Sequence, residues 1–203
     1  MKERAVTAAL LVVILLFICP HASAQGIPVG FDVFAEFGPS CLDGNVHSGA
    51  SGEAKCEAGR LFAGARLRLT RHDAFEVSHS YSPNVFDEAY PLLYENSRLT
   101  SNSFNYVRYL STYPHLQPFV TGGVGWENFL GDGFSPSGSP TGGDAQFAWN
   151  FGAGIDVIPE TYFAVRFEFR DYLTSIPVNH TSRLQNYVPS IGIVFRLNRD
   201  RKL

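Results

Sequence analysis

Three features of this sequence carry residue types that could do chemistry. The first is His180-Thr181-Ser182. A histidine can serve as base to a serine nucleophile when an acid orients its ring. Here Arg183 follows the pair and no glutamate stands between it and the C-terminus. The second is Cys41 and Cys56, which lie in a Gly/Ser-rich segment whose nearest imidazole is His47. A closed zinc site wants four ligands, so no metal is expected, and no cofactor-binding motif is present. An even pair of cysteines in an exported chain favours a disulfide. Closing a loop of this size stabilises by roughly 3 kcal/mol through chain entropy. The third feature is a set of charges that a two-residue period places on one side of successive strands. The acids are Asp32, Glu36, Glu76, Glu127, Asp156 and Glu168; the bases are Arg66, Arg68, Arg108, Arg166, Arg170 and Arg196. Charges matched in this way can stay ionised away from water if they are paired.

The elements that position these charges are strands. In Phe163 to Tyr172 the apolar set Phe163, Val165, Phe167 and Phe169 alternates with Ala164, Arg166, Glu168 and Arg170. Alternation puts the two sets on opposite faces. The preceding run from Ala145 repeats the pattern, with Phe147, Trp149, Phe151, Ala153, Ile155 and Val157 opposed to Gln146, Ala148, Asn150, Gly152, Gly154 and Asp156. In a soluble fold the apolar face would look inward; in a membrane barrel it looks outward to lipid and the charges fill the interior.

Taken in order, the chain predicts eight strands: Ile27–Phe37, Ala58–Thr70, Ala74–Tyr81, Asn102–Ser111, Pro118–Phe129, the pair flanking Pro159-Glu160-Thr161, and Leu184–Leu197. The fourth strand has aromatics on both sides. We read Asn105, Val107 and Tyr109 as lipid-facing and Arg108 as inward. Glycines 122, 123 and 125 predict bends in the fifth strand. Four long connections (Gly38–Glu57, Ser82–Ser101, Leu130–Asp144 and Leu173–Arg183) alternate with three short ones, and the first of them carries both cysteines. Long loops at one end and short turns at the other are the pattern of outer-membrane barrels. Tyr81, Tyr90, Tyr94, Trp126, Trp149 and Tyr172 are candidates for the interfacial aromatic girdle.

The ends and the composition agree with an exported all-β chain. Lys2 and Arg4, an apolar run from Ala8 to Ile18 and Ala22-Ser23-Ala24 form a secretory signal peptide over residues 1–24, leaving residues 25–203 as one barrel domain. The formal net charge of −3 offers no basic footprint for nucleic acid. Nineteen glycines and twelve prolines suit a chain of many turns.

The last strand, Ser190 to Leu197, reads polar-x-Gly-x-x-aromatic-x-hydrophobic through Ser190, Gly192, Phe195 and Leu197. It resembles the C-terminal signal that the barrel-assembly machinery recognises, although Leu197 replaces the usual terminal aromatic and a short tail follows. With PFVTGGVGWENF at Pro118–Phe129 and FGAGIDVIPETYFAVRFEFRDY at Phe151–Tyr172, the chain resembles the small OmpA-like and OmpX-like outer-membrane β-barrel domain family. The resemblance implies an eight-stranded antiparallel up-and-down transmembrane barrel, monomeric, in the outer membrane of a bacterium and in contact with its lipid.

The fold does not fix one activity. The leading expectation is a non-enzymatic barrel with a structural or surface-interaction role, whose lumen is closed by ion pairs and carries no current. One alternative follows from His180 and Ser182, which resemble the catalytic pair of outer-membrane lipid A deacylases, although Arg183 stands where those enzymes have Asn. Another is a soluble, lipocalin-like barrel with its apolar faces turned in.

Overall fold

The computed structural model describes residues 30–44, 55–83, 98–111, 113–130, 143–158, 162–175 and 183–197. They form eight strands: β1 (Gly30–Gly44), β2 (Lys55–Arg68), β3 (Asp73–Pro83), β4 (Arg98–Tyr109), β5 (Leu116–Leu130), β6 (Gly143–Val157), β7 (Phe163–Ser175) and β8 (Arg183–Leu197). Each pairs antiparallel with its sequence neighbours, and β8 returns to β1, so the sheet closes into a barrel. Closure removes the exposed edges that a flat sheet of this size would present.

The register sets the shape. A walk across paired residues runs Asp32, Arg66, Glu76, Asn105, Gly123, Asn150, Tyr172, Asn186 and arrives back on β1 at Leu42 instead of Asp32. That stagger requires tilted strands, and eight of them enclose a space just wide enough for side chains to fill.

The faces divide as the alternation requires. Phe31, Phe37, Leu67, Val77, Phe104, Trp126, Trp149, Phe151, Phe167, Phe169, Ile191, Ile193 and Phe195 are exposed on the outside. Asp32, Glu36, Arg66, Glu76, Glu127, Asp156, Arg166, Glu168 and Arg170 are buried within. An apolar exterior around a charged interior is the arrangement for lipid, and it overturns the soluble, ligand-binding alternative, which needs the faces reversed.

Three expectations need correction. The first long connection is shorter than the sequence suggested, because β1 runs on to Gly44 and β2 begins at Lys55. Cys41 and Cys56 therefore sit on paired strands instead of in a loop, as cross-strand partners joined by a disulfide. A register shift at Ser40/Cys41 lets both of these residues be buried. The second correction is β4, whose facing is the reverse of the expectation. Asn105, Val107 and Tyr109 are buried, while Phe104 and Tyr106 are exposed outside. The third is Tyr172, which lies inside the barrel at 1% exposure and not in the girdle. Tyr81, Trp126 and Trp149 do face outward; Tyr90 and Tyr94 lie outside the described residues.

Glycines set how closely the strands and rings approach. A Cβ added at Gly64 or Gly154 would meet the rings of Phe34 and Phe119, so these two inner glycines leave the room that the two rings fill. The β1–β8 ladder runs from Phe31↔Leu197 to Phe37↔Ile191 and resumes at Cys41↔Tyr187. The same register sets Pro39 opposite Pro189 in the gap, and neither has an N–H to donate. At Gly38 an added Cβ would fall on the Pro189 carbonyl, so the two strands stay in close contact there without a ladder.

Candidate functional site: the lumen

Adjacent strands deliver opposite charges to the same level of the lumen. Register places Arg66 opposite Glu76 and Asp156 opposite Arg166. Arg66 donates to Glu76 through Nε and Nη2, and to the Tyr109 hydroxyl through Nη1 at 2.5 Å. Arg166 grips Asp156 with Nε at 2.8 Å and Nη2 at 3.2 Å, the two-point geometry a guanidinium offers a carboxylate. Its Nη1 reaches Glu36 at 3.3 Å and lies 3.6 Å from Glu76. From the level above, Arg170 donates to Glu76 Oε1 at 2.7 Å and to Glu168 Oε1 at 2.8 Å.

Hydroxyl and amide groups take up further lone pairs. Asn105 donates to Glu76 at 3.1 Å, and Ser190 donates to Glu36 at 2.7 Å. Nearer the short turns, Arg68 bonds Asp32 at 2.6 Å and the Tyr109 hydroxyl at 2.8 Å. Tyr109 in turn donates to Asp156 at 3.2 Å. Arg68 and Arg196 both donate to Gln117 Oε1, at 3.3 and 3.2 Å. The rings of Phe34 and Phe119 supply the remaining walls. The Arg166 guanidinium lies 5.0 and 5.1 Å from their centroids, and Arg66 lies 4.9 Å from Phe119. Such contacts favour a cation that water no longer solvates.

Two departures from the predicted inner set have plain causes. Arg108 points outward at the short-turn end, where it pairs with Asp73 at 2.5 Å and its side chain is 49% exposed. At a strand end a long side chain can carry its charge out to water while its stem covers apolar surface. Tyr106 and Thr70 hold the same Asp73 carboxylate. Arg60, which the sequence reading passed over, is fully buried and takes the inward place. It bonds Ser80 at 2.9 Å, Ser101 at 2.6 Å and Glu127 at 3.2 Å, and lies 4.4 Å from the Tyr172 ring centroid. The signal was present, since Arg60 shares the parity of Phe62, Gly64, Arg66 and Arg68.

In the last strand Ser190 and Gly192 face the lumen. A Cβ at Gly192 would strike the Ala35 carbonyl and Glu36. Phe195 and Leu197 are exposed on the lipid side. His180, Ser182 and residues 1–24 lie outside the described residues, so the structure supplies no geometry for a hydrolytic pair. Among the described residues no group of His, Cys, Asp and Glu could hold a metal ion.

The arrangement holds a plug of mutually neutralised ions. Within it the carboxylates and guanidinium groups bond chiefly to one another.

No family model and no curated protein matches the chain in sequence. Solved structures do match in shape. Neisserial surface protein A superposes with a TM-score of 0.64 at 12% identity, covering 82% of this chain and 97% of that one. The outer membrane protein OprG from Pseudomonas aeruginosa gives 0.54 at 12% identity, over 87% and 100%. Ail, the attachment invasion locus protein of Yersinia pestis, gives 0.51 at 14% identity, over 84% and 100%. At such identities the likeness is one of fold, and that fold is the small eight-stranded outer-membrane β-barrel, of the OmpA-like and OmpX-like kind that the last strands resemble.

Proposed function

We propose that the protein is a non-conducting barrel of the bacterial outer membrane that holds its four long connections at the cell surface, in a structural or surface-interaction role. The observation that carries the reading is the lumen: Arg66, Arg166, Arg170, Glu36, Glu76, Asp156 and Glu168 are buried and bonded to one another across its whole width. An ion crossing it would have to break pairs whose loss leaves buried charges uncompensated. The long connections all leave from one end, which suits presentation to a partner outside the cell. Phe195 and Leu197 on the outside of β8 suit reading by the assembly machinery before closure, and the apolar exterior suits a monomer surrounded by lipid.

Planar-bilayer recording of the purified full-length protein tests this. The expected trace at physiological salt is silent. Steady, ion-selective openings would refute the reading. Fractionation of the producing cell should place the protein with outer-membrane markers, and recovery in the soluble periplasmic fraction would be equally fatal to it.

A further inference from the structure

One cation of the lumen has no acid bonded to it, and it stands at the short-turn mouth. Register sets Arg196 on β8 opposite Asp32 on β1, as it sets Arg166 opposite Asp156. The Asp32 carboxylate, however, is bonded by Arg68 Nε from β2 at 2.6 Å. Asp156 is no substitute, because Arg166 holds it at two points and the Tyr109 hydroxyl bonds its Oδ2 as well. Arg196 comes no nearer to that carboxylate than 3.9 Å. Two arginines at this level thus share one closely bonded acid, although Arg196 is only 6% exposed.

What Arg196 has instead is an amide. Its Nη2 donates to Gln117 Oε1 at 3.2 Å, and Arg68 Nη1 donates to the same oxygen at 3.3 Å. Both are long beside the bonds a guanidinium makes to an anion, which run about 2.7–2.9 Å. Arg196 Nε is buried and has no hydrogen-bond partner among the described residues. A buried cation served by one neutral acceptor has lost its hydration without recovering an opposite charge. Two guanidinium groups converging on one oxygen are the means by which proteins hold a carboxylate or phosphate group. Gln117 puts a neutral oxygen where such a group would put a charged one. The place can be reached from the mouth: Arg68 keeps 15% of its side chain exposed, whereas Arg60, Arg66, Arg166, Arg170 and Arg196 keep 5% or less.

We propose that Arg68 and Arg196, gathered around Gln117, form a binding site for a small oxyanion, a carboxylate or phosphate group entering from the short-turn end. The incoming anion takes the two arginine bonds now made to the Gln117 oxygen and frees that amide to turn its N–H toward the ligand. The site needs only the closed barrel, so it stands or falls apart from the silence of the lumen.

The test uses the full mature chain, isotope-labelled and folded in non-ionic detergent micelles. Inorganic phosphate and acetate are titrated against chloride at constant ionic strength, and the arginine Nε–H signals are followed. Saturable shifts are expected at Arg68 and Arg196 and not at Arg60, with the folding equilibrium constant rising as the site fills. Shifts that do not saturate, or that chloride matches, mean an adventitious ion only and overturn the proposal. Nanodiscs containing anionic phospholipid separate the sources. Shifts present there before any salt is added assign the anion to a lipid headgroup, and shifts that need added phosphate or acetate assign it to a soluble ligand. Gln117→Glu leaves both arginines in place and gives an independent readout. Asp156 lies opposite this position in register, but its charge is already met by Arg166. The new carboxylate should therefore raise the folding equilibrium constant about fivefold, the scale of one net hydrogen bond, and abolish the phosphate response. A constant that falls, or a phosphate response that survives, would show that Arg196 lacks no counter-charge and sink the proposal.

Discussion

The two halves of this lumen share eight strands and one alternating pattern, yet they solve the problem of a polar interior in opposite ways. Toward the short turns, long charged side chains from non-adjacent strands meet, and Glu76 alone is approached by Arg66, Arg166 and Arg170. Toward the long connections, serines replace them and a single pair, Arg60 and Glu127, is held through one guanidinium nitrogen. The difference teaches that charge balance alone does not make a plug. Paired ions stabilise a buried site when the geometry leaves few lone pairs over. The lower half comes nearer to that condition because several arginines share its carboxylates, although Glu168 Oε2 and Arg196 Nε have no partner there among the described residues; in the upper half Arg60 and Glu127 each keep an unpartnered atom.

Removing one arginine from each half should break the symmetry most. Arg166→Ala takes from Asp156 its two-point partner and from Glu36 its arginine, in a site with almost no exposure, and a buried pair broken from one side costs roughly 3–5 kcal/mol. Arg60→Ala strands only Glu127, whose second oxygen already has no protein partner. Its cost should be that of one unpaired buried group, about 1–3 kcal/mol. Denaturant titration in lipid vesicles measures both. Equal losses would mean the halves are energetically alike.

Next in size is the disulfide, which sits on the upper side of the proline-interrupted seam between β1 and β8. Replacing Cys41 and Cys56 together with serine should cost up to about 3 kcal/mol, because the bond acts largely by restraining the unfolded chain. The local consequence sharpens the comparison. Amide exchange should quicken near Ser40 and Cys56, while Asp32 to Phe37, whose ladders to β2 and β8 are unbroken, keeps its protection. Uniform quickening along β1 would show that the seam is held as one unit.

Much of this was legible in the sequence, and the failures share a cause. Period-two alternation identified the faces of β6 and β7 because each face there is chemically pure. In β4 it failed, since Phe104 and Tyr106 on one face and Tyr109 on the other are all aromatic. Reading Arg108 as inward assumed that every charge seeks the lumen, an assumption that lapses at a strand end within reach of water. Arg60 and Tyr172 were missed for the reverse reason. Both obey the parity of their strands, but Arg60 stands near the start of its expected strand, where the inner face was not followed back beyond Phe62, and Tyr172 stands where a girdle was expected. The cross-strand disulfide extended β1 and β2 through a stretch whose Gly/Ser composition reads as loop. Which polar atoms of the lumen find partners was beyond the sequence altogether, because that depends on what closure brings together.

The smallest effects test how full the lower half is. Gly64 and Gly122 are both strand glycines, but Gly64 faces the plug and Gly122 faces outward. A Cβ on Gly64 would collide with the Phe34 ring and the Val77 carbonyl. Phe34 has no slack to retreat, because its ring lies against the Arg166 guanidinium. Gly64→Ala should therefore destabilise by the usual overpacking cost, about 1–3 kcal/mol. A Cβ on Gly122 would meet only two carbons of the Phe151 ring, at 3.5 and 3.9 Å, both ordinary contacts. Gly122→Ala should stay within about 0.5 kcal/mol of the parent, as exposed substitutions do. Both energies come from the same vesicle titrations. If Gly64→Ala were as mild as Gly122→Ala, the lower lumen would contain slack, and the filled plug on which the non-conducting reading rests would have to be abandoned.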